Sequence, residues 1–368
     1  MIKIFHTGDL HLDSPFSGYD VRESDKRRAE CRASFAASLK KAVDDGCHII
    51  LIAGDLFDCG YVTAETVSMA FTAIEKCAIP VVIAPGNHDP FEKGGIYDRH
   101  AKPKNLFVFS SPSLSRFDFD DIGLSVHGYA FTSDRMDESP LSGEIELCER
   151  NANVLLAHAD IYSPLSKYAP ISPYSLEASG FDYAALGHVH KSEPPVKMGK
   201  TLVAYCGFPV GRGFDELGFG GALEVTVDGG RVSTERVILS DKRYMIEELD
   251  VTGASSDEEI YSAIGALISS KGFGEETSLR VILKGAVSPS MSVSLCPSAS
   301  ALGLALIEIE NQTSPVYDAA FLESDITLRG ALYRQLLPSL NSTDPHTRKV
   351  AAEALRIGIA ALDGKQIF

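Results

Sequence analysis

No two of the seven cysteines, at 31, 47, 59, 77, 148, 206 and 296, have CxxC spacing, and their number is odd. That argues against a disulfide framework, and a chain of 368 residues buries a core without disulfides or structural zinc. No apolar run is long enough to span a bilayer, so no membrane association is expected. The opening residues, Met1 to His6, read as a short strand without a signal h-region. A reducing, cytoplasmic compartment is the expectation. Positive charge is scarce: 34 Lys and Arg stand against 50 Asp and Glu, a net charge of -16. Such a chain repels a nucleic-acid backbone unless bound cations or a basic partner concentrate positive charge locally. Internal repeats and low-complexity tracts are also lacking.

What is present is organised around Ile83-Ala84-Pro85-Gly86-Asn87-His88-Asp89. Val81 to Ala84 reads as a buried strand, and Pro85-Gly86 turns it sharply. An amide, an imidazole and a carboxylate follow. Asn87 offers a neutral oxygen to a metal, His88 carries a proton, and Asp89 is placed to orient that His. The same grammar recurs. Ile2–Phe5 leads to Gly8, Asp9 and His11, which in an extended segment project from one side. His48–Ala53 leads to Gly54-Asp55-Leu56-Phe57-Asp58. Helices are predicted at 25–45, with Phe35, Leu39 and Val43 on one face, and from an N-cap at Thr63 through Cys77. Alternating strand and helix signals a parallel α/β sheet, whose ligands bind beyond the C-terminal strand ends.

Residues 91–120 are expected to be loop-rich, and 133–150 a connecting loop and helix. Further buried strands end in His158 and in Gly187-His188-Val189-His190. Residues 202–206 form another, followed by a turn-rich 207–214. A hairpin is expected at 221–227 and 231–239. After Arg243 the pattern changes: a strand at 245–251, a capping-box helix from Ser256, and strands at 279–283 and 302–309 suggest a small α+β domain. From Thr327 two helices are expected, the first stopping at Pro338. The domains so read are 1–243, 244–326 and 327–368.

Five of the ten histidines follow predicted buried strands, and Asp9, Asp55 and Asn87 also stand at strand ends. Carboxylate, imidazole and amide ligands without thiolate suit manganese, iron, zinc or magnesium. A carboxylate shared by two such ions gives a site that clamps the attacking and leaving oxygens of phosphoryl transfer. His6, His48, His100, His127 and His346 read as satisfied polar residues, and Asp13, Asp58 and Asp160 as turn or supporting groups.

Five ordered motifs, Asp9/His11, Gly54-Asp55-Leu56-Phe57-Asp58, Gly86-Asn87-His88-Asp89, His158 and Gly187-His188-Val189-His190, resemble the calcineurin-like metallophosphoesterase superfamily. The resemblance implies a layered αββα core. It assigns Asp9, His11, Asp55 and His190 to one ion and Asp55, Asn87, His158 and His188 to the other. His88 then stabilises phosphoryl charge or protonates the leaving oxygen, held by Asp89. Residues 6–16 and the stretches Tyr205–Pro209 and Gly211–Glu216 are similar to the YhaO-type branch of the SbcD-like DNA repair exonucleases. That similarity implies DNA as substrate, manganese as metal, a small domain capping the DNA groove, an SMC-like coiled-coil ATPase docking on the C-terminal helices, and a homodimer. Phe208 stands where many relatives have Ser, which bears on DNA contacts near that loop. Arg212 is either a phosphate contact or a solvated loop residue. The rivals are a phosphatase or phosphodiesterase for a small molecule or phosphoprotein, and a non-catalytic metal-binding scaffold subunit.

Overall fold

The computed structural model describes residues 1–17, 20–143, 145–287, 295, 297–362 and 364. The chain forms two compact units, Met1–Met245 and Ile246–Phe368. Cys296 and the predicted end of the C-terminal helical segment, 365–368, lie outside the described residues. The other six cysteines are free thiols.

In the first unit, period-two alternation sorts side chains into layers. The strands β1 (Ile2–Thr7), β2 (Ile49–Ile52), β3 (Val81–Ile83) and β4 (Leu106–Val108) run parallel in that order. The long hairpin of β11 (Gly218–Asp228) and β12 (Arg231–Asp250) continues the sheet from β1, antiparallel. Phe5, Ile50, Ile52, Val81 and Ile83 face α1 (Val21–Asp44) and α2 (Ala64–Cys77), meeting Phe35, Leu39, Phe71 and Ile74. Ile4, Ile49, Leu51 and Val82 point the other way, into a layer shared with Val126, Val154, Leu156 and Ala185 of a second sheet. That sheet runs β5 (Ser115–Phe119), β6 (Leu124–Gly128), β7 (Ala152–His158), β8 (Tyr183–Gly187), β10 (Thr201–Tyr205) and β9 (Val196–Met198), parallel inside and antiparallel at both edges. Its outer face, with Leu155, Ala157, Ala184 and Leu186, is covered by Ile171, Phe181 and Leu176 of α4 (Pro173–Ser179). The order of layers is therefore helix, sheet, sheet, helix, the αββα arrangement expected.

Several local expectations need correction. Residues 91–120 are mostly loop, as expected, but also carry α3 (Ile96–Arg99), β4 and β5. Among the described residues, 133–150 hold no helix, because Pro140 and Ser142-Gly143 interrupt any helical stripe. The strand expected at 245–251 is the far end of β12. A register shift between Phe219 and Gly221 absorbs residues 239–242, so one strand continues through both segments.

In the second unit, Ser256 caps α5 (Asp257–Lys271) by accepting from the Glu259 amide. The helix buries Ile260, Ile264 and Ile268. The strand β13 (Thr277–Lys284) alternates buried and half-buried residues and pairs in parallel with β15 (Leu306–Asn311). A short parallel pair, β14 (Ala286–Val287) and β16 (Ser314–Pro315), follows. Leu322 of α6 (Ala319–Ser324), Tyr333 of α7 (Leu328–Leu340) and Leu355 and Ile359 of α8 (Pro345–Leu362) form a separate apolar cluster. The helix α7 runs two residues past Pro338, which removes a hydrogen bond only in the last turn. Among the described residues, no helix is long and apolar enough to cross a membrane.

Candidate metal centre

The loops leaving β1 and β2 run side by side. Asp9 donates its amide to the Gly54 carbonyl, His11 to that of Asp55, and Leu12 to that of Leu56. Asp9, His11 and Asp55 all have positive φ, at 51°, 44° and 50°, and His188 sits at 96°. Asp9 and His11 therefore aim inward from left-handed backbone, not from the extended segment expected. Such conformations cost non-glycine residues about 1–3 kcal/mol each and persist only where the surroundings enforce them.

The motif glycines explain how the loops pack so closely. A Cβ on Gly86 would overlap the Asp55 carboxylate, one on Gly54 the His158 ring, and one on Gly187 the Ala53 carbonyl. Each glycine thus admits a group belonging to another strand end.

Three trios of donor atoms converge: Asp9, His11 and His190; Asp9, Asp55 and His158; and His11, Asp58 and His88. The first two contain the expected ligands. In the first, the Nε2 atoms of His11 and His190 lie 3.4 Å apart, and His190 Nε2 is 3.5 Å from Asp9 Oδ1. In the second, His158 Nδ1 lies 2.9 Å from the Ala53 carbonyl and donates to it. Its Nε2 faces Asn87 Oδ1 at 2.9 Å and Asp55 Oδ2 at 3.3 Å. Asp55 Oδ1 accepts the His88 amide at 2.9 Å, while Oδ2 faces both His158 and, at 3.5 Å, His11. One carboxylate oxygen thus lies between the two groups, the position expected of a bridge. His188 places its ring 5.1 Å from that of His158, and its amide donates to both Asp9 oxygens.

This donor set fits divalent cations. Lone pairs of imidazole, amide and carboxylate meet in buried space with too few protons to join them, and a cation satisfies all of them. Burial holds His11 well below the usual imidazole range, with Arg212 nearby adding to the effect. Burial also lowers His188, to about 4. Neutral imidazoles are the form that ligates metals. At His190 burial opposes charge, but hydrogen bonds and attraction from Asp9 and Glu216 outweigh it and lift the ring to about 10. Positive charge is favoured at that point.

His88 stands apart. Its side chain is 47% exposed, and its ring centroid lies 4.7 Å from that of His11. The carboxylate beside it is Asp58, 3.7 Å from Nδ1, which raises the imidazole above its ordinary value. Asp89, expected to hold His88, faces the interior instead. It accepts from the amides of Gly86, Asp55, Leu56 and Phe57 and from the Tyr97 hydroxyl at 2.6 Å. The turn sends residues 88 and 89 in opposite directions, so adjacency in sequence becomes separation in space. Burial and the Asp55 charge raise the Asp89 carboxyl to about 7.

The remaining polar groups fall into supporting places. Asp13 joins Arg32 to the start of α2 through the Thr63 amide and hydroxyl, and Asp160 closes a turn on the amides of Tyr162 and Ser163. His6, His48 and His127 are hydrogen-bonded to Tyr183, Lys3 and Asn153. Phe208 is buried, and its side chain packs inside the fold. Arg212 is not a solvated loop residue: it pairs with buried Glu216, which also meets His190. Sequence reasoning missed Glu216. Its one signal was membership of the glycine-rich stretch that follows β10.

The family model for calcineurin-like phosphoesterases matches residues 2–192, which contain every expected ligand. An uncharacterized metallophosphoesterase, YhaO of Bacillus subtilis, is 27% identical over 300 residues, covering 77% of this chain and 72% of that protein. Two solved structures also align. TT1561 of Thermus thermophilus shares 15% identity at a TM-score of 0.40, covering 64% of this chain and 98% of that one. A dimetal phosphatase from Danio rerio shares 9% at 0.43, covering 65% and 96%. The matched family model spans just over half of the chain and includes the strand-end ligands, and the chain accordingly belongs to the calcineurin-like phosphoesterases, two-metal hydrolases of phosphate esters.

Proposed function

We propose that this protein hydrolyses phosphodiesters in DNA, as a nuclease of the SbcD-like type working with manganese. The observation that carries hydrolysis is the half-exposed His88 standing over a buried group of convergent ligands. Asp9, His11 and His190 would hold one ion and Asn87 and His158 the other, with Asp55 between them and His188 beside His158. Divalent ions bound there supply Lewis acidity to the phosphoryl oxygens and help to generate the nucleophile. The protein's own part is orientation and proton delivery. His88, its proton favoured by Asp58, is placed to give that proton to the leaving oxygen. The Asp55 carboxylate is fixed by the His88 amide, so the residue that carries the proton and the bridging ligand share one turn.

DNA as substrate is supported by the similarity of residues 6–16 and 205–216 to the YhaO-type branch. The net charge of -16 favours a second reading, a small-molecule phosphodiesterase, because phosphate backbones are repelled. End-labelled single- and double-stranded DNA incubated with manganese, beside an aryl phosphodiester, separates the two. The Asp55→Ala variant excludes a contaminating nuclease. DNA degraded by wild type alone supports the nuclease. Cleavage of the aryl ester with DNA untouched points to a small substrate, or to an SMC-like ATPase subunit that brings the DNA.

A further inference from the structure

We infer that Glu216, clamped by Arg212, is a positioning residue that makes the two ion sites unequal by holding His190 to one of them. Both residues lie beyond the span matched by the family model. They sit in the loop between β10 and β11.

Glu216 is fully buried. Its Oε1 is 2.8 Å from His190 Nδ1 and accepts from Arg212 Nε at 2.9 Å and Nη2 at 2.5 Å, while Oε2 accepts the Arg212 amide at 2.7 Å. Arg212 Nη2 also lies 3.0 Å from His190 Nδ1. A buried carboxylate with this many donors is fixed in place, and its charge is balanced by the guanidinium fork. The His190 Nδ1–H therefore has a charged acceptor. That holds the ring in place and turns Nε2 toward Asp9 and His11.

At the other site, among the described residues, the hydrogen-bonded partner behind His158 is a peptide oxygen, and the Asp9 carboxylate stands farther off, 3.8 Å from Nδ1. His158 donates its Nδ1–H to the neutral Ala53 carbonyl. An imidazole backed by a carboxylate is a more basic ligand than one backed by a peptide oxygen, and losing such a partner weakens metal affinity about 10–100-fold. The ion among Asp9, His11 and His190 is accordingly the tightly held one, and Glu216 is the reason.

The inference rests on the two-ion reading, and the experiment keeps the two apart. Manganese binding is measured by equilibrium dialysis with elemental analysis for wild type, Glu216→Gln and, as the converse, Asn87→Ala. Glu216→Gln keeps the shape and packing of the side chain, and thermal melts followed by circular dichroism verify the fold. Wild type is expected to bind two ions of different affinity. Glu216→Gln is expected to weaken the tighter one about 10–100-fold and leave the other alone, whereas Asn87→Ala should lose the weaker one. Unchanged binding in a folded Glu216→Gln protein, or equal weakening of both ions, overturns the inference while the two-ion reading stands. Wild type that takes up no manganese overturns both.

Discussion

His88 and Asp58 form a pair whose removal separates chemistry from ion binding. His88→Ala should lower hydrolysis of an aryl phosphodiester about a hundred- to ten-thousandfold and leave ion content unchanged by elemental analysis. Loss of an ion together with activity would make His88 a ligand, a role that its trio with His11 and Asp58 also permits geometrically. Gly86→Ala tests the close approach of the loops. Its Cβ would overlap the Asp55 carboxylate, so folding stability should fall by about 1–3 kcal/mol in a denaturant titration, with activity lost more steeply. At this scale the sequence was informative about which polar groups converge and poor about what supports them. Asp9, Asp55, Asn87 and His158 stand at strand ends, where the period of a buried run stops and a polar group begins. Glu216 has no such marker, because only the closing of a distant loop brings it to His190. Asp89 was misread because a turn separates side chains that the sequence places together.

The elements meet at Asp89. Its carboxylate receives amides from the turns after β2 and β3 and the hydroxyl of Tyr97 in α3, so it fastens three pieces of chain. Asp89→Ala should cost at least about 3 kcal/mol by chemical denaturation, since several buried donors lose their acceptor together. Tyr97→Phe removes one of those bonds and should cost about 1.5–3 kcal/mol. An Asp89→Ala protein of normal stability but no activity would return Asp89 to a catalytic role. The main strands and helices were legible from period and caps, as with Thr63 opening α2 and Ser256 opening α5. The missed elements are short or lie at edges. The strand β5 has mostly exposed residues, and α4 shows little beyond a Ser-Pro start and a glycine end. Little apolar periodicity survives in such pieces.

Across the whole molecule, acid should loosen the fold before it reaches the carboxylates. His6 is fully buried between the Tyr183 hydroxyl and the Leu186 carbonyl, and burial lowers it to about 3. The folded state keeps this ring neutral, whereas the unfolded chain takes up a proton near pH 6.5. Its contribution is therefore complete above pH 6.5 and is lost progressively as pH falls toward about 3, by up to about 1.4 kcal/mol per unit. Calorimetric melts from pH 7 to pH 5 should show a falling Tm, and His6→Gln should flatten that dependence; an equal slope in both proteins would remove His6 as the cause. That the first sheet is covered on both faces was legible because Ile49 to Ile52 is apolar throughout, whereas the order helix, sheet, sheet, helix came from the resemblance of the motifs. The backbone angles at Asp9, His11, Asp55 and His188 were not legible, since no residue type announces them. They carry a practical consequence for anyone evolving this protein in the laboratory. Glycine at these positions would relax the chain, so a library selected only for survival of heat would be drawn toward sequences that have discarded their ligands. Heat resistance and turnover would need to be selected together.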